Sequence, residues 1–353
     1  MKIDGSYGEG GGQILRTALA LAAVLRREVE IHSIRKGRKV PGLQPQHLTC
    51  VDACRDITEA EVEGNKLKSL SLQFSPKTLK GGNFLFDVAK IKGSAGSVCL
   101  VLQSILLPLV FSGQSTEVVI KGGTHVPWSP PFTYLKQVFF PMIKKIGCRV
   151  SGKIEKWGWY PKGGGEVLFS IEPIPEILSL NLTERGKLKK LSGISAVSNL
   201  PLSIGRRQRD RAYRILRERG FSPEIELVDA PSIGQGTFLF ILAEFEDSLA
   251  GFSSLGAIKK RAETVAEECC QEFLEFMETD AAIEKHLADQ LIPFLSFCNQ
   301  KSSFTVSCVS QHLLTNVWAV RNFLPVGIEV QGKEGESGKV FIDSSGVKDK
   351  IGI

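Results

Sequence analysis

The stretch WYPKGGGEVLFSIEP, residues 159–173, sets a lysine before three glycines and runs into a segment of alternating polar and apolar residues. Alternation with period two marks a strand with one buried face, and the glycines mark the turn before it. LKGGNFLFDV (79–88) and IKGGTHVPW (120–128) share the lysine and glycines, and DGSYGEGGGQ (4–13) shares the glycine-rich approach. Apolar segments of helical length lie between them, at 13–26, 46–58, 94–111 and 132–147. Further short strands are expected at EVEIHSIR (28–35), TEVVIKGG (116–123) and EVLFSIEP (166–173). Strands with two helices recurring every roughly 70 to 80 residues imply one structural unit used more than once. The expected fold class is α/β, of the α+β type.

The character of the chain changes after residue 184. RGKLKKLSGISAVSNLPLSI reads as a strand entering a loop, and GRRQRDRAYRILRERG as a basic helix closed by Gly220. A strand at 223–229, a glycine turn at 233–236, the strongly β segment TFLFILAEFE (237–246) and a helix at 257–279 follow. From residue 280 the earlier style returns. A smaller α/β domain at 185–279, inserted into a larger one formed by 1–184 and 280–353, accounts for this better than two domains in series.

Composition agrees with a globular chain that buries a real core: 353 residues, 42% hydrophobic and 23% charged. VCLVLQSILLPLVF (98–111) is too short to cross a membrane and holds Gln103 and Pro108. ILRTALALAAVL (14–25) carries Arg16 behind a glycine loop with Glu9, a poor signal peptide, so the expected location is the cytoplasm. The eight cysteines include no C-x-x-C, and a chain of this size needs no disulfides. His47, Cys50 and Cys54 fall on one helix face, which admits a metal site, although thiols commonly serve as small buried apolar groups. The net charge of +6 is uneven: residues 185–219 carry +9, leaving −3 elsewhere. That segment and RKGRK (35–39) read equally as solvated faces or as contacts for a phosphate-rich partner such as nucleic acid.

Five motifs are candidates for chemistry. GSYGEGGGQILRTALALAAVL leads a glycine loop into a helix whose N-terminal amides favour an anion, with Gln13 and Arg16 on one face of the first turn. Glu9 in that loop would repel phosphate unless Mg²⁺ or Mn²⁺ stood between them. No G-x-x-x-x-G-K-[ST] occurs, and Gln13 stands where G-x-G-x-x-G needs its last glycine, so a P-loop ATPase and a dinucleotide dehydrogenase are disfavoured. SIRKGRKVPGLQPQH (33–47) supplies Arg35 and Arg38, suited to clamping phosphate, followed by Gln46 and His47 at a helix start. GSAGSVCLVLQ (93–103) opens an apolar helix holding Gln103, and HLADQL (286–291) holds Asp289 and Gln290. VSQHLLTNVW (309–318) places His312 in an apolar run, where it is either a satisfied core residue or a nucleophile towards phosphorus. No G-x-S-x-G elbow supports a Ser-His-Asp hydrolase.

Taken together, GEGGGQILR, SIRKGRKVPGLQPQHL, GSAGSVCLVLQ, GGT..P.SPP, YPKGGGEV, ADQL and HLLTN...V..FLP resemble, in order and across nearly the whole chain, the RNA 3′-terminal phosphate cyclases. The resemblance implies a large domain of repeated βα units, each a four-stranded sheet backed by two helices, with a smaller α/β domain inserted. It also implies a reaction. His312 takes AMP from ATP, AMP passes to an RNA 3′-phosphate to give an RNA-(3′)pp(5′)A end, and the vicinal 2′-OH closes a 2′,3′-cyclic phosphate as AMP leaves. By the same resemblance Glu9 holds the metal, Mg²⁺ or Mn²⁺, and Arg35 and Arg38 meet phosphate or RNA. ATP is bound by Arg16, Gln46, Gln103, Pro130 and the run His286, Leu287, Ala288, Asp289 and Gln290. At 286 the family pattern has Tyr and this chain has His286, a smaller ring to pair with Pro130 around adenine. RNA 3′-phosphate ends are the implied partner, a homodimer is possible, and no membrane is involved. Non-catalytic relatives acting in ribosome biogenesis lack the histidine, so His312 separates the enzyme reading from an RNA-binding scaffold. HLLTN likewise counts against an unrelated sugar-phosphate enzyme.

Overall fold

The computed structural model describes residues 1–90 and 93–347. Its first unit runs β1 (Lys2–Asp4), α1 (Gln13–Leu25), β2 (Val29–His32), α2 (Pro45–Thr58), β3 (Glu61–Glu63) and β4 (Leu72–Ser75). The second runs β5 (Asn83–Asp87), α3 (Val98–Val110), β6 (Thr116–Gly122), α4 (Phe132–Tyr134), a π-turn over Leu135–Phe139, α5 (Phe140–Lys144), β7 (Val150–Lys156) and β8 (Gly165–Ile171). The third opens with β9 (Asn181–Leu182) and is then interrupted. The interruption is β10 (Leu188–Ser198), α6 (Leu202–Glu218), β11 (Glu224–Asp229), β12 (Gly236–Phe245), β13 (Leu249–Leu255) and α7 (Ala262–Met277). The third unit resumes with α8 (Lys285–Leu295), β14 (Lys301–Val306), α9 (Gln311–Phe323), β15 (Gly327–Gln331) and β16 (Gly338–Asp343).

The sheets are ordered β1-β2-β4-β3, β5-β6-β8-β7 and β9-β14-β16-β15. In each, the first two strands are parallel and the other pairings antiparallel. One βαβαββ unit is therefore used three times, and the fold is the mixed α/β class expected. The intervening sheet has a different order, β11-β10-β12-β13.

Packing explains why α1 is apolar nearly all round: it lies between α3 and α9 as well as against its own sheet. TFLFILAEF is a near-continuous apolar run for a similar reason. Phe238, Phe240 and Leu242 on one face of β12 join the core of the repeated units. Leu239, Ile241 and Ala243 on the other face pack with α6 and α7 in a core of their own. Arg185 closes the seam: its guanidinium donates to the carbonyls of Phe276 and Met277 at the end of α7 and to that of Ala281.

Three sequence expectations are revised. The strand expected over 28–35 ends at His32, because Ser33 and Arg35 take φ of 53° and 54° and turn the chain. β13, LAGFSSL, was not anticipated, since glycine and serine weaken its β signal. The metal site at His47, Cys50 and Cys54 is overturned. The two thiols are buried and donate to the carbonyls of Leu100 and Ser104 on α3, and burial raises Cys50 to about 11 and Cys54 further. No cluster of three or more metal-binding side chains occurs among the described residues, where all eight cysteines are free. No helix among those residues is long and apolar enough to cross a membrane.

Candidate functional site

Several helix N-termini meet at the glycine loop 5–12. Gly12 caps α1 without a side chain, leaving the first amides of that helix unclaimed by a side-chain cap. Ser310 caps α9 by accepting from the Leu313 amide at 3.1 Å, which places His312 in the first turn of α9. Gln13 ties the two together: its Nε2 donates to the His312 carbonyl at 2.9 Å and to Asp289 Oδ2 at 3.2 Å. The Gln13 Oε1 is buried and has no partner among the described residues.

His312 Nε2 lies 3.1 Å from Glu9 Oε2, and Arg38 reaches the same carboxylate oxygen at 3.4 Å. Partial burial, with Arg16, His286 and Arg38, lowers the His312 pKa against the opposing pull of Glu9, so the imidazole is held towards its neutral form. The positive end of α9 acts in the same sense. Arg16 is half-buried, and its guanidinium has no ion pair or side-chain hydrogen bond among the described residues. An unpaired cation beside a glycine loop and open helix amides is suited to phosphate.

His47 completes the loop's surroundings. The Gln44 amide donates to its Nδ1 at 3.0 Å, so in the neutral ring the proton sits on Nε2. Burial, then Arg35 and Arg16, press its pKa down to about 3. That ring lies so close to the loop that a Cβ on Gly12 would overlap it and would approach Arg16 Nη1 to 2.9 Å.

Beside Arg16 a cavity of about 60 Å³ is lined by Gln13, Gln103, Asp289, Gln290 and Asn316. Gln103 donates to Gln290 at 2.9 Å, and Gln290 donates to the His286 carbonyl at 2.5 Å. Asn316 accepts from Thr17 at 2.7 Å and donates to the Asp289 carbonyl at 2.8 Å. Burial, followed by Glu284, raises the Asp289 carboxyl to about 8 against the pull of Arg16, so it is largely protonated at neutral pH. A larger cavity of about 520 Å³ lies on the intervening module, lined by Tyr213, Arg217 and Glu224. Of the residues named from the motifs, Arg16, Gln103, Asp289 and Gln290 line the smaller cavity and none lines this one.

Of the residues named from sequence, Glu9, Arg16, Arg38, Gln103, Asp289, Gln290 and His312 thus gather around the loop and cavity. Arg35 instead binds its own turn, donating to the carbonyls of Val40 and Gly42. Gln46 accepts from the Ser97 amide at 2.7 Å and so fastens the 93–97 loop to α2. Leu287 and Ala288 are fully buried in the apolar core, so within the run 286–290 they have only their backbone left to face a ligand. His286 is exposed and Pro130 half-buried on its loop. Gln13 and Asn316 had no assigned role, and His47 only that of a possible metal ligand. Their signal lay in GGGQ, PQHL and HLLTN, but each has meaning only beside a partner remote in the chain.

The family model described as RNA 3′-terminal phosphate cyclase matches residues 7–330. The chain belongs to the RNA 3′-terminal phosphate cyclase family. Among similar proteins, the RNA 3′-terminal phosphate cyclase of Nostoc punctiforme is 43% identical over 326 residues, covering 92% of this chain and 94% of that one. The Pyrococcus furiosus cyclase is 42% identical over 340 residues, 96% and 98% of the two chains. That of Methanopyrus kandleri is 38% identical over 353 residues, 98% and 99%. These cyclases span this chain almost end to end, intervening module included.

Proposed function

We propose that the protein is an ATP-dependent RNA 3′-terminal phosphate cyclase working through a covalent histidine–AMP intermediate on His312. The observation that carries this reading is the 3.1 Å approach of His312 Nε2 to Glu9 beside the open amides of α1 and Arg16, which has no ion pair among the described residues. His312 reacts as the neutral tautomer with its proton on Nδ1: the Nε2–H facing Glu9 passes to Glu9 or solvent while Nδ1 takes up a proton from water. The freed lone pair forms a bond to the α-phosphorus of ATP, the bond to the α,β-bridging oxygen breaks, and pyrophosphate leaves. AMP then moves to an oxygen of the RNA 3′-phosphate, breaking the P–N bond. Finally the vicinal 2′-oxygen loses its proton and bonds to the RNA phosphorus, expelling AMP and leaving the 2′,3′-cyclic phosphate.

The residues share the positioning and charge neutralisation such chemistry needs. Arg16 and Arg38 meet phosphate oxygens, and the Nε2–H of His47 adds a neutral donor at the loop. Asp289, carrying a proton, hydrogen-bonds the nucleotide ribose, while Gln103 and Gln290 face the base. Pro130 and His286 cover adenine, and Arg35 and Gln46 keep the phosphate-facing loops in register. Glu9 is an exposed carboxylate on a loop open to phosphate, a donor set that fits Mg²⁺ or Mn²⁺ completed by phosphate oxygens and water. When bound, that cation neutralises phosphate charge. In this reading 1–184 with 280–353 is the catalytic body and 185–279 an inserted domain. A reducing cytoplasm suits the free thiols.

The test is incubation with α-labelled ATP and Mg²⁺ or Mn²⁺ without RNA. Label should remain on denatured wild type and be absent from His312→Ala, and a 3′-phosphorylated oligonucleotide should discharge it. Well-folded wild type that takes no label refutes the reading.

A further inference from the structure

Among the described residues the exposed tyrosine and tryptophan rings are Tyr7, Trp128 and Tyr160. Trp128 is 92% exposed and Tyr160 63%. A tryptophan left in water forgoes the burial such a large side chain ordinarily contributes, so its placement needs a reason. Its backbone adds to the question: φ is 60°, the left-handed region, which is unusual for a bulky residue and marks strain. Pro127, Pro130 and Pro131 fence the turn, and Ser129 Oγ donates to the Val126 carbonyl at 3.1 Å. The turn is thus built to project an indole.

The loop carrying Tyr160 runs alongside. His125 pairs with Trp159, and the amides of Thr124 and His125 donate to the Gly158 carbonyl at 2.9 and 3.1 Å. On its other flank the module contributes Ile233, which is 62% exposed and lies over Gly164, while Gly234 abuts Lys162. Asn199 Nδ2 donates to the carbonyls of Ser232 and Gly234, both at 2.8 Å, joining this surface to the start of α6. Arg207, Arg209 and Arg211 on α6 have acidic partners. The exposed Lys162 and Arg206 have no ion pair among the described residues. The surface connects towards the glycine loop: Gly163 packs on Ala95, the 93–97 loop is held by Gln46 through the Ser97 amide, and the residue after Gln46, His47, lies against Gly12.

Exposed rings together with cations that have no ion pair among the described residues are what single-stranded nucleic acid uses: bases stack on the rings and phosphates meet the cations, without demand for sequence. We propose that Trp128 and Tyr160, with Lys162 and Arg206, form the track for the single-stranded RNA segment just upstream of the 3′-phosphate. This rests on the cyclase reading above and names the part of the substrate that lies outside the reacting centre. Trp128 and Tyr160 stack bases, and Lys162 and Arg206 neutralise the phosphates between them.

The experiment compares wild type with Trp128→Gly, Tyr160→Ala and the double variant on a 3′-phosphorylated dinucleotide and decanucleotide. Glycine accommodates φ of 60° at position 128, so the first variant keeps the fold, verified by an unlowered thermal midpoint. Expected is a KM for the decanucleotide raised about tenfold per ring removed. KM for the dinucleotide and self-labelling from ATP stay within about twofold. An unchanged decanucleotide KM in the double variant, or equal losses on both substrates, overturns the proposal. Quenching of tryptophan fluorescence by an unphosphorylated decanucleotide reads the surface without turnover. Quenching that Trp128→Gly reduces supports the track even if wild type fails to self-label and the cyclase reading falls, and undiminished quenching counts against it.

Discussion

Gly12 shows how much of the site rests on one missing methyl group. A side chain there would press on the His47 ring and the Arg16 guanidinium and shift both from the loop. Gly12→Ala is expected to lower self-labelling from ATP about a hundredfold, the scale of loss for a 1 Å misplacement, with the thermal midpoint nearly unchanged. Unimpaired labelling would show that neither side chain serves the reaction. Asp289 gives a test of different sign. An unfolded aspartate titrates near 3.9, whereas this carboxyl keeps its proton to about 8. Between those values the unfolded chain binds fewer protons, so Asp289 lowers stability as pH rises from about 4 to about 8 and has no further effect above. Asp289→Asn should remove that decline, measured by urea unfolding at pH 5, 6.5 and 8. Parallel curves for the two proteins would mean that the carboxyl is ionised throughout.

At the scale of elements, the position of His312 depends on how α9 begins. Ser310 satisfies the Leu313 amide, and Asn316, one turn after His312, bridges Thr17 on α1 to the Asp289 carbonyl on α8. Ser310→Ala should cost about 1 kcal/mol in chemical denaturation through the lost cap. Asn316→Ala leaves the buried Thr17 hydroxyl without its acceptor and should cost about 1–3 kcal/mol. It should also reduce labelling, because α1, α8 and α9 lose their shared fastening. A stability loss with labelling intact would separate helix packing from nucleophile placement. HLLTN could be read from sequence as a helix start with a histidine. Which residues Asn316 joins could not, since Thr17 lies 299 residues away.

For the whole molecule, two more buried rings set the response to acid. His125 stacks on Trp157 at 3.9 Å, meets Phe238 of the intervening module edge-on, and is hydrogen-bonded by Thr124 and Thr133. Burial presses its pKa to about 3, as burial and arginines do for His47. Both are neutral when folded and take up protons near 6.5 when unfolded. Their contribution is complete above pH 6.5 and is lost as pH falls towards 3. With the opposite slope of Asp289, these three groups place maximum stability near pH 6.5. Thermal midpoints from pH 4 to 8 should show that maximum, and a rise on acidification below 6 would contradict it.

The repeated βα pattern was legible because glycine turns, helical apolar runs and two-residue alternation are local signals imposed by backbone geometry. The change of character near residue 185 showed in the sequence as a run of positive charge. Sequence by itself also singled out Glu9, Arg16, Arg38, Gln103, Asp289, Gln290 and His312 as residues whose chemistry suits phosphate. It gave no direction to the side chains: Arg35 donates within its own turn, and the side chains of Leu287 and Ala288 fill the core. Neighbours in a helix point to different sides, and only the packing of α1, α8 and α9 decides which side holds the cavity. The unpartnered Gln13 Oε1, the His47 tautomer and the Glu9–His312 contact are tertiary facts in the same sense. Each arises where segments far apart in the chain exclude water together, and no local pattern records that.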